Sequence, residues 1–187
     1  YDKLSKEPYC DWLKNKTMPT MVAAGAFSEF KGHLVLFEAI RIANETTPVR
    51  LVLFGKGYLQ KKYEKWIAEN HMQERILLAG HTSNLPAEIK KSDAFVISSQ
   101  VESFSVVLVE AMAADILVIS TNCPYGPPEL LQYGKYGVLV PVGDSKAMAQ
   151  AIVNQVNNPR KPAPKEAWTP FALEKVVFAY EKAIGLV

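Results

Sequence analysis

Six short apolar runs, at 20–26, 49–54, 75–79, 94–98, 116–120 and 137–140, recur along the 187-residue chain. None alternates polar with apolar residues, as a strand with one wet face would. Each is nearly continuous, which is the pattern of a strand covered on both faces. Between the runs the period lengthens: in 32–42, Leu34, Leu36, Phe37, Ala39, Ile40 and Ile42 recur about every 3.6 residues. Further helices are expected over 59–68, 86–91, 106–114, 145–156 and 171–184, with a helical turn at 127–132 and Asp144 as an N-cap. Strand and helix alternate from end to end, so the chain is expected to form an α/β domain around a doubly wound parallel sheet.

Composition narrows the function classes. With 49% hydrophobic and 21% charged residues the chain fits one compact domain, large enough to need no disulfide or metal staple. Its net charge of +2 is spread without a dense basic tract, so no nucleic-acid partner is expected. Cys10 and Cys123 lie far apart, which favours a reduced, cytoplasmic protein. His33, His71 and His81 share no metal-ligand spacing and are expected as ordinary surface or loop residues, with no metal site. The N-x-T triplets at 15–17 and 44–46 are coincidental in such a protein. The longest apolar stretch, 104–119, is broken by Glu110 and Asp115 and is too short to span a bilayer. No signal peptide is visible and Tyr1 is not an initiator methionine, so the chain is expected to begin inside a longer protein.

Sheets of this kind bind ligands beyond the carboxyl ends of their strands, where the strand order reverses. The loops at 25–32, 55–58, 80–85, 98–105 and 121–128 are therefore the candidates, and they carry most of the chain's unusual residues. Two carboxylates stand eight positions apart around one of them: Glu102 in the loop, Glu110 inside the next helix. The N-terminus of that helix offers free N–H groups and about half a positive charge, which suits a diphosphate. A nucleotide sugar lying across it could present sugar hydroxyls to Glu102 and ribose hydroxyls to Glu110. Taken alone, the pair also reads as two solvated glutamates. Glu110, however, sits among Val107, Leu108, Val109, Ala111 and Met112, where a carboxylate needs a partner.

The E-x7-E spacing within F-x-x-x-L-x-E-A-M-A resembles the donor-site motif of retaining glycosyltransferases of the GT-B fold. More narrowly it is similar to glycosyltransferase family 4 (the glycosyl transferases group 1), which includes sucrose synthase and bacterial mannosyltransferases. The resemblance covers nearly the whole chain. The segment 25–32 (G-A-F-S-E-F-K-G) is similar to the family's glycine loop, 51–57 to its strand ending in G-x-G, and 76–80 to its L-x-G strand. Residues 91–98 are similar to its A-D-V-F-V-x-P-S strand, 126–129 to its G-P-x-E turn, and 134–144 to its G-x-x-G-x-L-V-x-x-G-D stretch.

The resemblance implies that this is the C-terminal, Rossmann-like half of a GT-B enzyme. Residues 1–19 would be the linker from an N-terminal acceptor domain, 20–158 the nucleotide-sugar domain, and 159–187 a Pro-rich crossing and a C-terminal helix packed on that domain. Lys31 would bind the donor diphosphate and share the catalytic role with Glu102, which would hold the sugar ring. Gly25, Ser103 and the backbone amides of Phe104, Ser105 and Val106 would hold the phosphates. Glu110 would take the ribose, and the loop with Gly80 and Thr82 would face the base, mainly through its backbone. The implied reaction is transfer of a hexose, from a UDP-sugar rather than a GDP-sugar, to an acceptor hydroxyl with retention and without a metal. The acceptor would be a sugar, lipid-linked glycan or glycolipid bound by the other domain, in bacterial polysaccharide, lipopolysaccharide or glycolipid synthesis. Membrane contact would be peripheral, at the inner face, through that other domain.

Three positions depart from the family pattern. Its diphosphate arginine is Ala26, the glycine after its phenylalanine is Ser105, and the glycine after A-M-A-x is Asp115. They motivate a second reading, a nucleotide-binding or interaction domain without transferase activity. A dinucleotide oxidoreductase is disfavoured, because 25–32 does not supply G-x-G-x-x-G.

Overall fold

The computed structural model describes residues 10–186. Along the chain run α1 (Asp11–Lys14), β1 (Thr20–Ala24), α2 (His33–Ala43), β2 (Arg50–Phe54), α3 (Gln60–Glu69), β3 (Ile76–Gly80), α4 (Leu85–Lys90), β4 (Ala94–Ile97), α5 (Val106–Ala113), β5 (Val118–Thr121), α6 (Pro127–Leu130), β6 (Val138–Val140), α7 (Ser145–Asn157), α8 (Lys165–Trp168) and α9 (Leu173–Ala183). All six expected strands form, each within two residues of its expected bounds. They pair in parallel in the order β3-β2-β1-β4-β5-β6. This is a Rossmann-like, doubly wound sheet, and the order reverses between β1 and β4.

The continuous apolar runs have the cause inferred from them. Met21 and Ala23 of β1 face a core with Leu36, Phe37 and Ile40 of α2, Tyr63 of α3 and Met148 and Ile152 of α7. Val22, between them, faces a second core with Phe95 and Ile97 of β4, Ile89 of α4 and Leu108 and Met112 of α5. Every residue of β4 and β5 is buried. Asp144 caps α7 as expected, its carboxylate accepting from the Ala147 N–H at 2.9 Å.

The two ends of the chain behave differently. Residues 1–9 of the expected linker lie outside the described residues, but 10–19 pack on the domain. Leu13 of α1 is buried in the second core, and the Cys10 N–H donates to the Glu88 carboxylate at 3.3 Å. At the other end α8 closes that same core with Ala163 and Ala167. The helix beyond it, α9, forms with none of its residues buried. Its Leu173, Phe178 and Tyr180 are more than half exposed. Among the described residues no helix is long and apolar enough to cross a membrane.

Candidate functional site

At the switch point the loops after β1 and β4 are sewn together. The Ser98 hydroxyl donates to the Lys31 carbonyl at 2.7 Å, and the Gln100 N–H donates to the Phe30 carbonyl at 2.8 Å. Gly32, in the left-handed region at φ 61°, turns the chain into α2 so close to β4 that a Cβ would overlap the Ser98 carbonyl. The β5 loop joins them, with Thr121 Oγ1 donating to the Ser99 carbonyl at 2.6 Å.

This stitching brings Lys31 and Glu102 into contact. The lysine Nζ lies 2.6 Å from Glu102 Oε1, which also accepts from the Ser99 hydroxyl at 2.7 Å. The pair is half-sheltered, with 29% and 10% of the two side chains exposed. The Lys31 stem lies over Gly25, where a Cβ would sit 3.5 Å from its Cδ and Cε. Sequence reading assigned the two residues to different parts of a ligand; in the free chain they neutralise one another. An anion arriving at Lys31 must displace or share Glu102.

Beside this pair α5 opens toward solvent. Its first N–H groups have no helical acceptor, and Val106 and Ser103 are exposed there. Phe104 is half-exposed and meets Phe171 edge-on, with ring centroids 5.5 Å apart. Ser105 sits at φ 70°, ψ 74°, and its buried hydroxyl finds no hydrogen-bond partner among the described residues. Asp115, just past the end of α5, is at φ 64°. Both departures from family glycines, Ser105 and Asp115, therefore keep the backbone form that a glycine adopts easily, and the loop path survives at the cost of local strain. Glu110 is half-buried, four residues into α5.

The carboxyl ends of β1, β2 and β3 enclose a cavity of about 260 Å³, bordered by Gly25, Ala26, Gly55, Lys56, Thr82 and Val107, among others. Gly25 and Thr82 both border it, and the exposed Ala26 lies on its rim. Gly80 ties the β2 and β3 loops, its carbonyl accepting from the Gly55 N–H at 2.7 Å. Glu110 is not among the lining residues; α5 contributes Val107. A larger cavity of about 580 Å³ opens beside α1 and shares Thr82. Neither cavity is lined by Lys31 or Glu102; the smaller one alone reaches the first turn of α5, through Val107.

Several residues at or beside the site were not singled out by sequence reading. Ser98, Ser99 and Thr121 are short hydroxyls whose importance depends on which loops meet. In the sequence Lys56 is only the middle residue of a G-x-G segment that closes β2. His33, expected at the surface, is instead 4% exposed. Burial, then the charge of Lys31, lowers its pKa to about 4, and its Nδ1 lies 3.3 Å from the Tyr63 hydroxyl. Phe27 and Tyr63 pack against its ring, with centroids 5.9 and 5.7 Å away. Among the described residues no three His, Cys, Asp or Glu side chains cluster as metal ligands. Both cysteines are free thiols, whose pKa values burial raises.

The chain is similar to known proteins over most of its length. The family described as Glycosyl transferases group 1 matches residues 10–167. The 4-alpha-N-acetylgalactosaminyltransferase of Campylobacter jejuni that acts on an N-acetylgalactosamine-N,N'-diacetylbacillosaminyl-diphospho-undecaprenol is 31% identical over 140 residues, which are 75% of this chain and 37% of that protein. The pneumococcal O-GlcNAc transferase GtfA, solved with UDP and GlcNAc, superposes with a TM-score of 0.80 at 21% identity, covering 89% of this chain and 35% of that one. The C-terminal domain of a glycosyl transferase group 1 protein from Francisella tularensis superposes at 0.62 and 19% identity, over 83% of this chain and 95% of that one. The chain thus spans little more than a third of the first two proteins and almost all of the third, which is itself a single domain.

Proposed function

The chain belongs to the glycosyl transferases group 1 family, and on that footing we propose that it binds the nucleotide sugar, most simply a UDP-sugar, of a retaining hexosyl transfer. The acceptor hydroxyl belongs to a sugar, lipid-linked glycan or glycolipid held by the part of such enzymes that lies outside this chain. The setting is bacterial polysaccharide, lipopolysaccharide or glycolipid synthesis at the cytoplasmic face of the membrane. The Campylobacter relative and the UDP-bound pneumococcal structure support this setting and this nucleotide.

One observation carries the reading: the Lys31–Glu102 pair at the switch point, beside the open end of α5. The diphosphate lies on the first N–H groups of α5, from Phe104 to Val106, and draws Lys31 from Glu102. Glu102, released, turns its carboxylate to the sugar hydroxyls, while Glu110 takes the ribose. As the anomeric bond breaks, charge grows on the departing diphosphate, and Lys31 and the helix terminus already face it. The same two groups supply the positive charge that a metal would bring elsewhere. Ser103 and Gly25 border the phosphates, and Gly80 and Thr82 the base. Calorimetric titration with UDP and a panel of UDP-sugars tests the reading. UDP is expected to bind, and Lys31→Ala to remove nearly all of that binding. A Lys31→Ala protein that binds UDP as tightly as wild type would show that the phosphates lie elsewhere.

A further inference from the structure

Among the described residues, Lys56 is the one Lys, Arg, Asp or Glu that borders the 260 Å³ cavity. Its position is fixed from below. The Lys56 carbonyl accepts from the Phe27 N–H at 3.0 Å, and the neighbouring Gly55 N–H donates to the Gly80 carbonyl at 2.7 Å. The loops after β1, β2 and β3 are therefore joined at its root. Its stem crosses Gly80, where a Cβ would stand 3.9 Å from the lysine Cε. The two lysines of the site are built alike, Lys31 lying over Gly25 and Lys56 over Gly80, each using the space of an absent side chain. Their electrostatic states differ. Lys31 is neutralised by Glu102 at 2.6 Å, whereas Lys56 makes no ion pair among the described residues.

We propose that Lys56 is a second phosphate-binding cation, facing a nucleoside diphosphate across the cavity from the first turn of α5. The inference rests on the nucleotide-sugar reading above. A diphosphate brings more negative charge than the half-charge of a helix terminus and a lysine shared with a glutamate can balance. The cavity wall supplies the remainder at Lys56. Ala26, beside it on the rim, presents only a methyl group and leaves the ammonium room to swing inward. A lysine, a flexible point charge with three donors, can follow a phosphate without a fixed fork geometry. A nucleoside seated against Phe54 and Leu85 then excludes water and strengthens the contact.

The test is titration of wild type, Lys56→Met and Lys56→Arg with uridine, UMP and UDP at two salt concentrations. Lys56 is exposed, so both variants are expected to keep the wild-type melting temperature. Lys56→Met should lose roughly five- to tenfold in UDP affinity, leave uridine unchanged and show a shallower salt dependence. Lys56→Arg should restore UDP binding. If Lys56→Met binds UDP within about twofold of wild type, a range an idle surface lysine would give, the proposal is overturned while the nucleotide-sugar reading stands. If uridine weakens as much as UDP, Lys56 touches the base or ribose and the phosphate assignment is wrong. If wild type binds no nucleoside diphosphate at all, the nucleotide-sugar reading falls and takes this inference with it.

Discussion

At the scale of single residues, the ion pair sets the signs of the expected effects. Glu102 holds Lys31 through a 2.6 Å contact, so its removal frees a cation at the phosphate position. Glu102→Ala is therefore expected to bind UDP as well as or better than wild type, while losing affinity for a UDP-sugar. Glu110→Ala should weaken UDP itself by about 1.5–3 kcal/mol, one hydrogen bond to a charged group. Calorimetry on the two variants separates these outcomes; an equal loss of UDP affinity in both would undo the division of sugar and ribose between them. Ser105 and Asp115 give a second residue-scale expectation. Both hold positive φ angles, and the buried Ser105 hydroxyl has no partner among the described residues. Ser105→Gly should raise stability by about 1–2 kcal/mol, and Asp115→Gly by less, because Asp tolerates this region better. Urea unfolding measures both; a destabilised Ser105→Gly protein would mean that the hydroxyl makes a stabilising contact.

At the scale of elements, the site depends on how the β1 and β4 loops are joined. Gly32 is the narrowest point, since a Cβ there meets the Ser98 carbonyl and the backbone is left-handed. Gly32→Ala is expected to cost at least about 2 kcal/mol and to lower UDP affinity by displacing Lys31, measured by urea unfolding and titration. His33, the next residue, makes this junction sensitive to acid. Its folded pKa is near 4 against an ordinary 6.5, so the unfolded chain takes up the proton first. Its contribution is fully present above about pH 6.5 and fades as pH falls toward 4, by up to about 3 kcal/mol. The urea midpoint of wild type should drop over that window, and that of His33→Gln should drop less. Parallel curves for the two proteins would remove His33 as the cause. The elements themselves were legible because the strands are apolar on both faces and the long helices on one, which α2, α3, α5 and α7 bury. The short α1 and α8 were not: four residues carry too little periodicity, and neither has the Gly-Pro-Pro start that marked the equally short α6.

At the scale of the molecule, α9 is the exception to close packing. None of its residues is buried, whereas Ala163 and Ala167 just before it lie in the core. Removing residues 173–187 should leave the melting temperature nearly unchanged, while removing 160–187 should lower it by several degrees. A large loss from the shorter truncation would show that α9 packs on the domain after all.

The sequence alone determined the layers of this molecule. Continuous apolar runs require a sheet covered twice, their alternation with helices makes that sheet parallel, and such a sheet carries its ligand loops at one end. Motif order pointed to the family, because spacing along the chain is what a sequence records. Contacts between distant loops were decided only in the tertiary structure. Lys31 and Glu102 are 71 positions apart, and nothing local says that they touch. His33 reads as a loop residue until Phe27 and Tyr63 close over it, and Lys56 as a turn residue until the β3 loop places it on a cavity wall. The last helix has a proper apolar face, yet whether that face is covered depends on how much sheet the earlier helices leave bare. Periodicity fixes which side of an element is apolar; only packing decides what, if anything, meets it.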